Sequence, residues 1–149
     1  MSILIVTDLI PNTSVSQKFK IFKTINVAAI RPYIYKNGTI LDGNLMLRVL
    51  KGATVIATKL INFTEINSEI PETYAHGYIK FEFGQLPLQI DENQTEQEYT
   101  LELSMINHTL SAANYISFAK DWDDSKYSVY GTVTTSLNQP NGFEIFEYK

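Results

Sequence analysis

The stretch EYTLELSM, residues 98–105, decides the fold of this chain. Every second residue in it is apolar, namely Tyr99, Leu101, Leu103 and Met105, and polar residues fill the positions between them. Successive side chains of a β-strand point to opposite faces of the sheet, so this spacing predicts a strand with one buried and one solvated face. Strands of that kind are typical of antiparallel sheets.

The same period of two recurs along the chain, with turn residues between the repeats. It is clearest in GYIKFEFG at 77–84, in NLMLRVL at 44–50 and in KFKIF at 18–22. Glycine supplies the positive φ that tight turns need, and the pair Lys51–Gly52 predicts a hairpin between two of the strands. Pro32 interrupts an apolar run, which predicts a sheet edge, a bulge or a strand start there.

Ten strands follow from these patterns. They cover residues 2–7, 17–22, 25–35, 44–50, 54–63, 77–83, 97–106, 114–119, 126–134 and 142–148. The longest connections are 64–76 and 84–96, and the first of them offers at most one helical turn before Pro71. About eight to ten short strands at this spacing predict an all-β protein, either a sandwich or a barrel.

The length of 149 residues predicts one domain over 1–149. Residues 1–16 combine a short apolar segment with a polar connection, so they form either an edge strand of the same domain or an N-terminal arm that pairs with a neighbouring subunit. The sequence leaves these alternatives open.

Composition excludes several classes of function. The net charge is −4 and the twelve basic residues are scattered, so we expect no nucleic-acid partner. The absence of cysteine excludes disulfides, zinc–thiolate sites and thiol catalysis. No apolar run approaches the length of a membrane span and no signal peptide is recognisable, so we expect no membrane partner.

The acidic segment DWDD, residues 121–124, is the candidate metal site. Asp121, Asp123 and Asp124 could offer oxygen ligands to calcium. The segment lacks the glycine and the bidentate acid of a calcium loop, so we expect a solvated rim with Trp122 over the edge of the core, and no cofactor.

Aromatic residues near that segment are the candidate ligand contacts, namely Tyr115, Trp122 and Tyr127. Tyrosine combines an apolar ring with a polar tip, which suits a sugar platform or a protein interface. Tyrosine is also a favoured strand residue, so packing on the sheet is the expected role of most tyrosines, Tyr33 and Tyr35 among them.

Catalytic signatures are weak. His76 and His108 fall in predicted loops, too far apart for a helical metal motif. Glu65 and Glu69, or Glu96 and Glu98, could form a carboxylate pair, but such pairs are defined by distance in space, which the sequence does not give. No nucleophile stands beside a base in any known motif. We therefore predict that the protein is not an enzyme and assign no catalytic residue.

The order of strands and turns resembles a known family. A strand pair near KFKIFKTINVAAI (18–30) leads to the hairpin LMLRVLKGATVIAT (45–58), then to GYIKFEFG and EYTLELSM, and GFEIFEYK (142–149) ends the chain. This pattern is similar to the jelly-roll β-sandwich modules of tailed-bacteriophage virion proteins and to related carbohydrate-binding modules. The likeness covers most of the chain and consists of strands and turns rather than a catalytic motif.

The resemblance implies a non-enzymatic virion structural protein, either a capsid decoration protein or a tail- or fibre-associated module. Such a protein docks onto other virion proteins, forms homo-oligomers or binds a lattice, and is assembled in the host cytoplasm before it resides in the virion. By position, residues 97–106 would form a central strand with 114–119 as its neighbour, and 121–124 would lie in an end loop. The alternative is a carbohydrate-binding module for a host-surface glycan. That role needs a row of exposed aromatics, which the sequence does not predict.

Overall fold

The computed structural model describes residues 8–9, 14–93, 95, 97–107, 110–111, 113–118, 131–134 and 143–147. These residues form eleven strands and one helix. The elements are β1 (Asp8–Leu9), β2 (Val15–Ile21), β3 (Ile25–Asn37), β4 (Asn44–Lys51), β5 (Thr54–Asn62), α1 (Phe63–Glu69), β6 (Tyr74–Tyr78), β7 (Phe81–Leu88), β8 (Gln97–Ile106), β9 (Tyr115–Phe118), β10 (Gly131–Thr134) and β11 (Phe143–Glu147).

Two antiparallel sheets face each other. The first has five strands in the order β10-β2-β8-β4-β5, with the opening stretch of the sequence analysis, β8, at its centre. The second is built around β3, which pairs with β7 and β11 over its first half and with β6 and β9 over its second half. This arrangement confirms the predicted all-β antiparallel sandwich.

The core lies between the two sheets and follows the predicted alternation. In β8, the burial pattern alternates along the strand, and Tyr99, Leu101 and Leu103 are fully buried. The inner residues of β4 and β2 behave in the same way. The predicted hairpin is also present, because β4 and β5 pair antiparallel on either side of Gly52, whose φ is 62°.

Several strand boundaries differ from the prediction. The predicted strand 77–83 is divided between β6 and β7, and β7 continues through Pro87, which was predicted to lie in a loop. A register shift between Val27 and Ala29 of β3 accompanies Gly84, whose φ is 73°. This irregularity lets β7 resume with Leu86 and Leu88 buried, so the strand extends further than simple alternation predicts.

Pro32 lies inside β3 rather than at its start. Pairing with β11 ends at Pro32, pairing with β6 begins at the next residue, and the carbonyl oxygen of Pro32 accepts a hydrogen bond from the Ile79 amide at 3.2 Å. A proline has no amide hydrogen to donate, so it is accommodated where β3 changes neighbours.

The prediction that 114–119 pairs with the central strand is wrong. β9 lies in the opposite sheet, where it pairs with β3 and β1. β8 ends at Ile106, and the next residue, Asn107, has a positive φ of 62°.

The connection after β5 contains a seven-residue helix, longer than the single turn predicted. The Asn62 side chain accepts a hydrogen bond from the Thr64 amide at 2.8 Å and caps the helix N-terminus. Phe63 and Ile66 are fully buried one turn apart, so packing against the core stabilises a helix of low intrinsic propensity. Among the described residues, no helix has the length and apolar character needed to cross a bilayer.

Within residues 1–16, the structure describes Asp8–Leu9 and residues 14–16, the last two of which begin β2. Asp8 and Leu9 pair antiparallel with β9 and so extend the edge of their own sheet. The predicted strand 2–7 and the acidic segment 121–124 lie outside the described residues.

Candidate functional site

The outer face of the sheet around β3 carries a continuous row of rings. Beyond the bulge in β3, Ile30, Ile34 and Lys36 point into the sandwich, so the alternate residues Arg31, Tyr33 and Tyr35 point outward. The neighbouring strand β6 contributes outward side chains in register, because Tyr78 lies opposite Tyr33 and His76 opposite Tyr35. Cross-strand pairs of this kind are close enough to stack.

These side chains form an unbroken chain of contacts, which we call the aromatic ladder. It consists of Tyr35, His76, Tyr33, Tyr78, Arg31 and Phe146. The centroid distance is 5.3 Å between Tyr35 and His76, 5.8 Å between His76 and Tyr33, and 4.7 Å between Tyr33 and Tyr78. The Tyr33 and His76 rings are stacked at an interplanar angle of 20°. Separations in this range are those of favourable aromatic pairs.

Arg31 joins the last two rings of the ladder. Its Cζ lies 5.0 Å from the Tyr78 centroid and 5.1 Å from the Phe146 centroid, distances typical of cation–π contacts. The guanidinium also donates hydrogen bonds to Glu144 through Nε, at 3.0 Å, and through a terminal nitrogen. Glu144 lies directly opposite on β11, so the arginine head is fixed in position by its partner strand.

Exposure varies along the ladder. Tyr33, near its middle, is only 6% exposed although it lies outside the core cluster, because its neighbours in the ladder cover it. Phe146, at one end, is 40% exposed. Tyr74, in the next outward position of β6, is 66% exposed and extends the face beyond His76. The ladder therefore has a buried ring near its middle and an exposed ring at its Phe146 end, and the exposed ring of Tyr74 lies on the same face beyond its other end.

The packing beneath the ladder explains why β6 can lie there. Gly77 lies opposite Ile34, and a Cβ on Gly77 would come within 2.6 Å of the Ile70 side chain. Glycine therefore lets the strand approach the residue that ends α1. This contact fixes β6 and aims its neighbours His76 and Tyr78 outward.

A buried lysine of β3 binds α1 on the inner side of the sheet. Lys36 is 3% exposed, and its Nζ donates hydrogen bonds to Oδ1 of Asn67, at 2.9 Å, and to the carbonyl oxygen of Ile70. Asn67 in turn donates to the carbonyl oxygen of Ile40 at 2.8 Å. Burial lowers the pKa of Lys36, and the carboxylate of Glu72 acts in the opposite direction.

The only predicted contact residue in the described region is Tyr115, which the register places beside the ladder. It lies opposite Asn37 of β3, and Tyr74 lies opposite the same residue from the other side, so the three residues form a row across three strands. Tyr115 is half-buried and packs partly against the core. The other predicted contacts, Trp122 and Tyr127, and the predicted calcium ligands, Asp121, Asp123 and Asp124, lie outside the described residues.

A cleft of about 340 Å³ opens at the side of the sandwich, between β5, α1 and the start of β7. Its chemically active groups are Lys59, Lys80, Glu65, Glu69 and Glu82. The candidate pair Glu65 and Glu69 thus shares one cleft. Lys80 and Glu82 form an ion pair at 3.6 Å with both side chains exposed. Exposed pairs of this kind are solvated and interact weakly, so the cleft has the chemistry of a charged surface groove.

Metal ligands are not gathered in the described residues, which contain no group of three or more histidine, cysteine, aspartate or glutamate side chains placed to hold an ion. Described polar side chains at one end of the sheet bind backbone groups. Near the ladder's end, the side-chain Nδ2 of Asn37 donates to the Ala113 carbonyl oxygen at 3.0 Å. The backbone amide of Thr39 donates to Oδ1 of Asn114 at 2.8 Å. These contacts join the loop before β9 to the end of β3.

Neither the protein-family models, nor the curated proteins, nor the solved structures with which we compared the chain match it.

Sequence reasoning missed the ladder. It placed His76 in a loop, whereas His76 lies in β6 between two outward tyrosines. It also predicted no row of exposed aromatics, whereas the ladder and Tyr74 form a row that is open at its ends. The available signal was the spacing of Tyr33 and Tyr35 together with that of Tyr74, His76 and Tyr78. These two spacings give one surface only because β3 and β6 pair in a register that sets Tyr33 opposite Tyr78 and Tyr35 opposite His76.

Proposed function

We propose that the protein is a non-enzymatic structural protein of a tailed-phage virion that docks onto other virion proteins through the aromatic ladder. Docking through the ladder is supported by one observation, the row of stacked rings that Arg31 bridges on an outer sheet face. The virion part rests on the resemblance in the order of strands and turns.

The composition of the ladder supports docking. Tyrosine, phenylalanine and arginine are enriched in the centres of protein interfaces, and tyrosine and arginine are frequent among the residues that dominate binding energy. The exposed rings of Tyr74 and Phe146 would lose water on contact with a partner, which makes their burial favourable.

The rigidity of the ladder also supports docking. Its rings are fixed by stacking, and Arg31 is held by Glu144. Ordering loose side chains costs free energy on binding, so a surface that is ordered beforehand binds more tightly. The ladder lies on three paired strands rather than on loops, which fixes the spacing of its contacts.

Glycan binding is the second candidate, and the exposed ring of Tyr74 beside the Asn37 side chain favours it. A sugar stacks on a free ring face and hydrogen-bonds to polar groups nearby. In the ladder, however, the faces of Tyr33 and His76 are turned towards each other, so they offer little to a sugar ring. The geometry therefore supports a protein partner better than a glycan.

Quantitative mass spectrometry of purified particles tests the proposal. We expect the protein in the particles at a fixed copy number, high if it decorates the capsid and low if it belongs to the tail or a fibre.

We expect the double variant Tyr74→Ser with Phe146→Ser to fold normally by circular dichroism but to be depleted from particles. Absence of the wild-type protein from particles, together with specific binding on a glycan array, would replace the proposal by the glycan alternative.

The matched control is Phe22→Ser, which also removes an exposed aromatic ring. Phe22 directly follows β2 of the five-stranded sheet, whereas Tyr74 and Phe146 lie on strands that pair with β3 in the other sheet. We expect this variant to remain on particles. Equal depletion of the control and the double variant would contradict docking through the ladder.

A further inference from the structure

β5 lies at one edge of the five-stranded sheet, and within the described part of the chain it pairs only with β4. It is nine residues long, and three of its exposed side chains are large and apolar, namely Val55, Ile56 and Leu60. A long apolar edge is a template for a strand of another chain, and such pairing leads to aggregation. An edge of this kind stays unpaired only where other features oppose strand addition.

A bulge interrupts β5 near its start. The register shifts so that Val55 and Ala57 lie opposite consecutive residues of β4, and Ile56 between them has no counterpart. A bulged residue disrupts the regular pairing, bends the strand and increases its twist. Regular pairing with a further strand is therefore limited to residues 57–62.

Lys59, within that regular stretch, lies on the core side of β5. It is opposite Leu47 of β4, which is fully buried, and its neighbours on the same face are Ala57, which packs against the core, and Ile61, which is 7% exposed. Lys59 itself is exposed, because it lines the cleft that opens between β5, α1 and β7. The edge strand thus carries a charge that points inward.

A strand added beside β5 would continue the sheet across the opening of this cleft. The ammonium group of Lys59 would then move from water into the space between the two sheets, which costs free energy. Glu65, Glu69 and Glu82 line the same cleft, so their carboxylates would lose water as well. The loss of hydration on burying charges can exceed the attraction between them, so strand addition here is unfavourable.

We propose that the bulge at Ile56 and the inward charge of Lys59 together keep β5 from accepting a strand of another chain. The bulge shortens the stretch that can pair regularly, and the charge makes the remaining stretch costly to cover. The exposed apolar side chains of β5 therefore do not make this edge a site of association. The inference does not depend on docking through the aromatic ladder, because the aromatic ladder and β5 belong to different sheets.

Replacement of Lys59 tests the inward charge. Size-exclusion chromatography with light scattering measures mass against concentration for the wild type, Lys59→Val and Lys59→Glu, and circular dichroism checks that each chain folds. We expect Lys59→Val at least to double its mass at concentrations where the mass of the wild type is constant. Lys59→Glu keeps a charge at this position, so we expect it to behave as the wild type does. A Lys59→Val variant with the mass of the wild type at every concentration would overturn the inference.

Lys80→Val is the matched control, because Lys80 lines the same cleft but lies outside β5. We expect it to keep the mass of the wild type. Hydrogen exchange measured by mass spectrometry locates the contact, and we expect the amides of 54–62 to exchange more slowly in associated Lys59→Val than in the dilute variant. Equal association of the control, or unchanged exchange in 54–62, would also overturn the inference.

Deletion of Ile56 tests the bulge independently of the charge. Without the extra residue, Val55 and Ala57 keep their counterparts in β4 and β5 becomes regular. The deletion is made in the wild type and in Lys59→Val, and we expect it to shift association to lower concentrations in both. The wild-type background keeps the test decisive even where Lys59→Val does not fold. Association that is unchanged or weakened by the deletion would show that the bulge does not protect this edge.

Discussion

The phenol of Tyr99 and the backbone of Gln89 form a reciprocal pair of hydrogen bonds. The hydroxyl donates to the Gln89 carbonyl oxygen at 2.9 Å and accepts from the Gln89 amide at 2.8 Å. Tyr99 is 1% exposed and stacks on Phe19 at a centroid distance of 5.8 Å. One side chain thus ties the end of β7 to the central strand of the opposite sheet.

We expect Tyr99→Phe to lower the free energy of unfolding by about 1–2 kcal/mol, because two backbone groups lose their partner while the ring packing is kept. Tyr35→Phe is the control. The Tyr35 hydroxyl makes one long contact, at 3.4 Å, with Asn37, so its loss should change stability by less than about 0.5 kcal/mol. Urea unfolding of both variants measures the difference, and equal values would show that the reciprocal pair adds nothing.

Gly38 has a φ of 90°, and a Cβ there would come within 2.3 Å of the Ala113 carbonyl oxygen and of Oδ1 of Asn114. We expect Gly38→Ala to cost more than about 2 kcal/mol, since backbone strain and a collision add together. Gly52→Ala has a positive φ but open space around the new atom, so we expect about 1 kcal/mol. Thermal unfolding would contradict this reasoning if Gly52→Ala were the more damaging variant.

Phe81 and Leu103 are buried on facing sheets. We expect each substitution by alanine to cost about 2–5 kcal/mol, through lost burial and a residual cavity. Lys80→Ala, one residue from Phe81, should cost less than about 0.5 kcal/mol because its ion pair with Glu82 is exposed. A similar loss of stability in Lys80→Ala and Phe81→Ala would mean that the burial is not one-sided.

Lys36 should make stability depend on pH. Burial lowers its pKa in the folded protein, whereas the unfolded chain retains a value near 10.5. Between these two values the unfolded chain binds more protons, so stability rises with pH in this window and is lost again as the pH falls through the lowered pKa. We expect the stability of the wild type relative to Lys36→Met to increase from neutral pH towards 10.5. Denaturant unfolding at a series of pH values measures this, and a difference that is constant or falls with pH would contradict it.

The period-two pattern was sufficient to predict the core and the fold class. Leu101, Leu103 and Phe81 are buried as their alternation predicts, and the hairpin turns at Gly52. Local patterns carry this information because side-chain direction depends only on position along a strand.

Which strands become neighbours could not be predicted in the same way. β9 lies in the opposite sheet from β8, and the alternation of side chains along a strand does not indicate which sheet that strand joins. For the same reason the aromatic ladder was missed. Tyr33 and Tyr78 are 45 positions apart in the sequence, and only their register in the sheet brings the rings together.

Photo-crosslinking from Tyr74 is the most direct test of docking through the ladder. Tyr74 would be replaced by p-benzoylphenylalanine, and the matched control would carry it at Lys18, an exposed position in the opposite sheet. After irradiation of purified particles, we expect Tyr74→p-benzoylphenylalanine to give one crosslinked product with a stoichiometric virion protein, and the Lys18 variant to give none. Particles that contain the Tyr74 variant but yield no crosslink from it, or yield the same product from both positions, would contradict docking through this face.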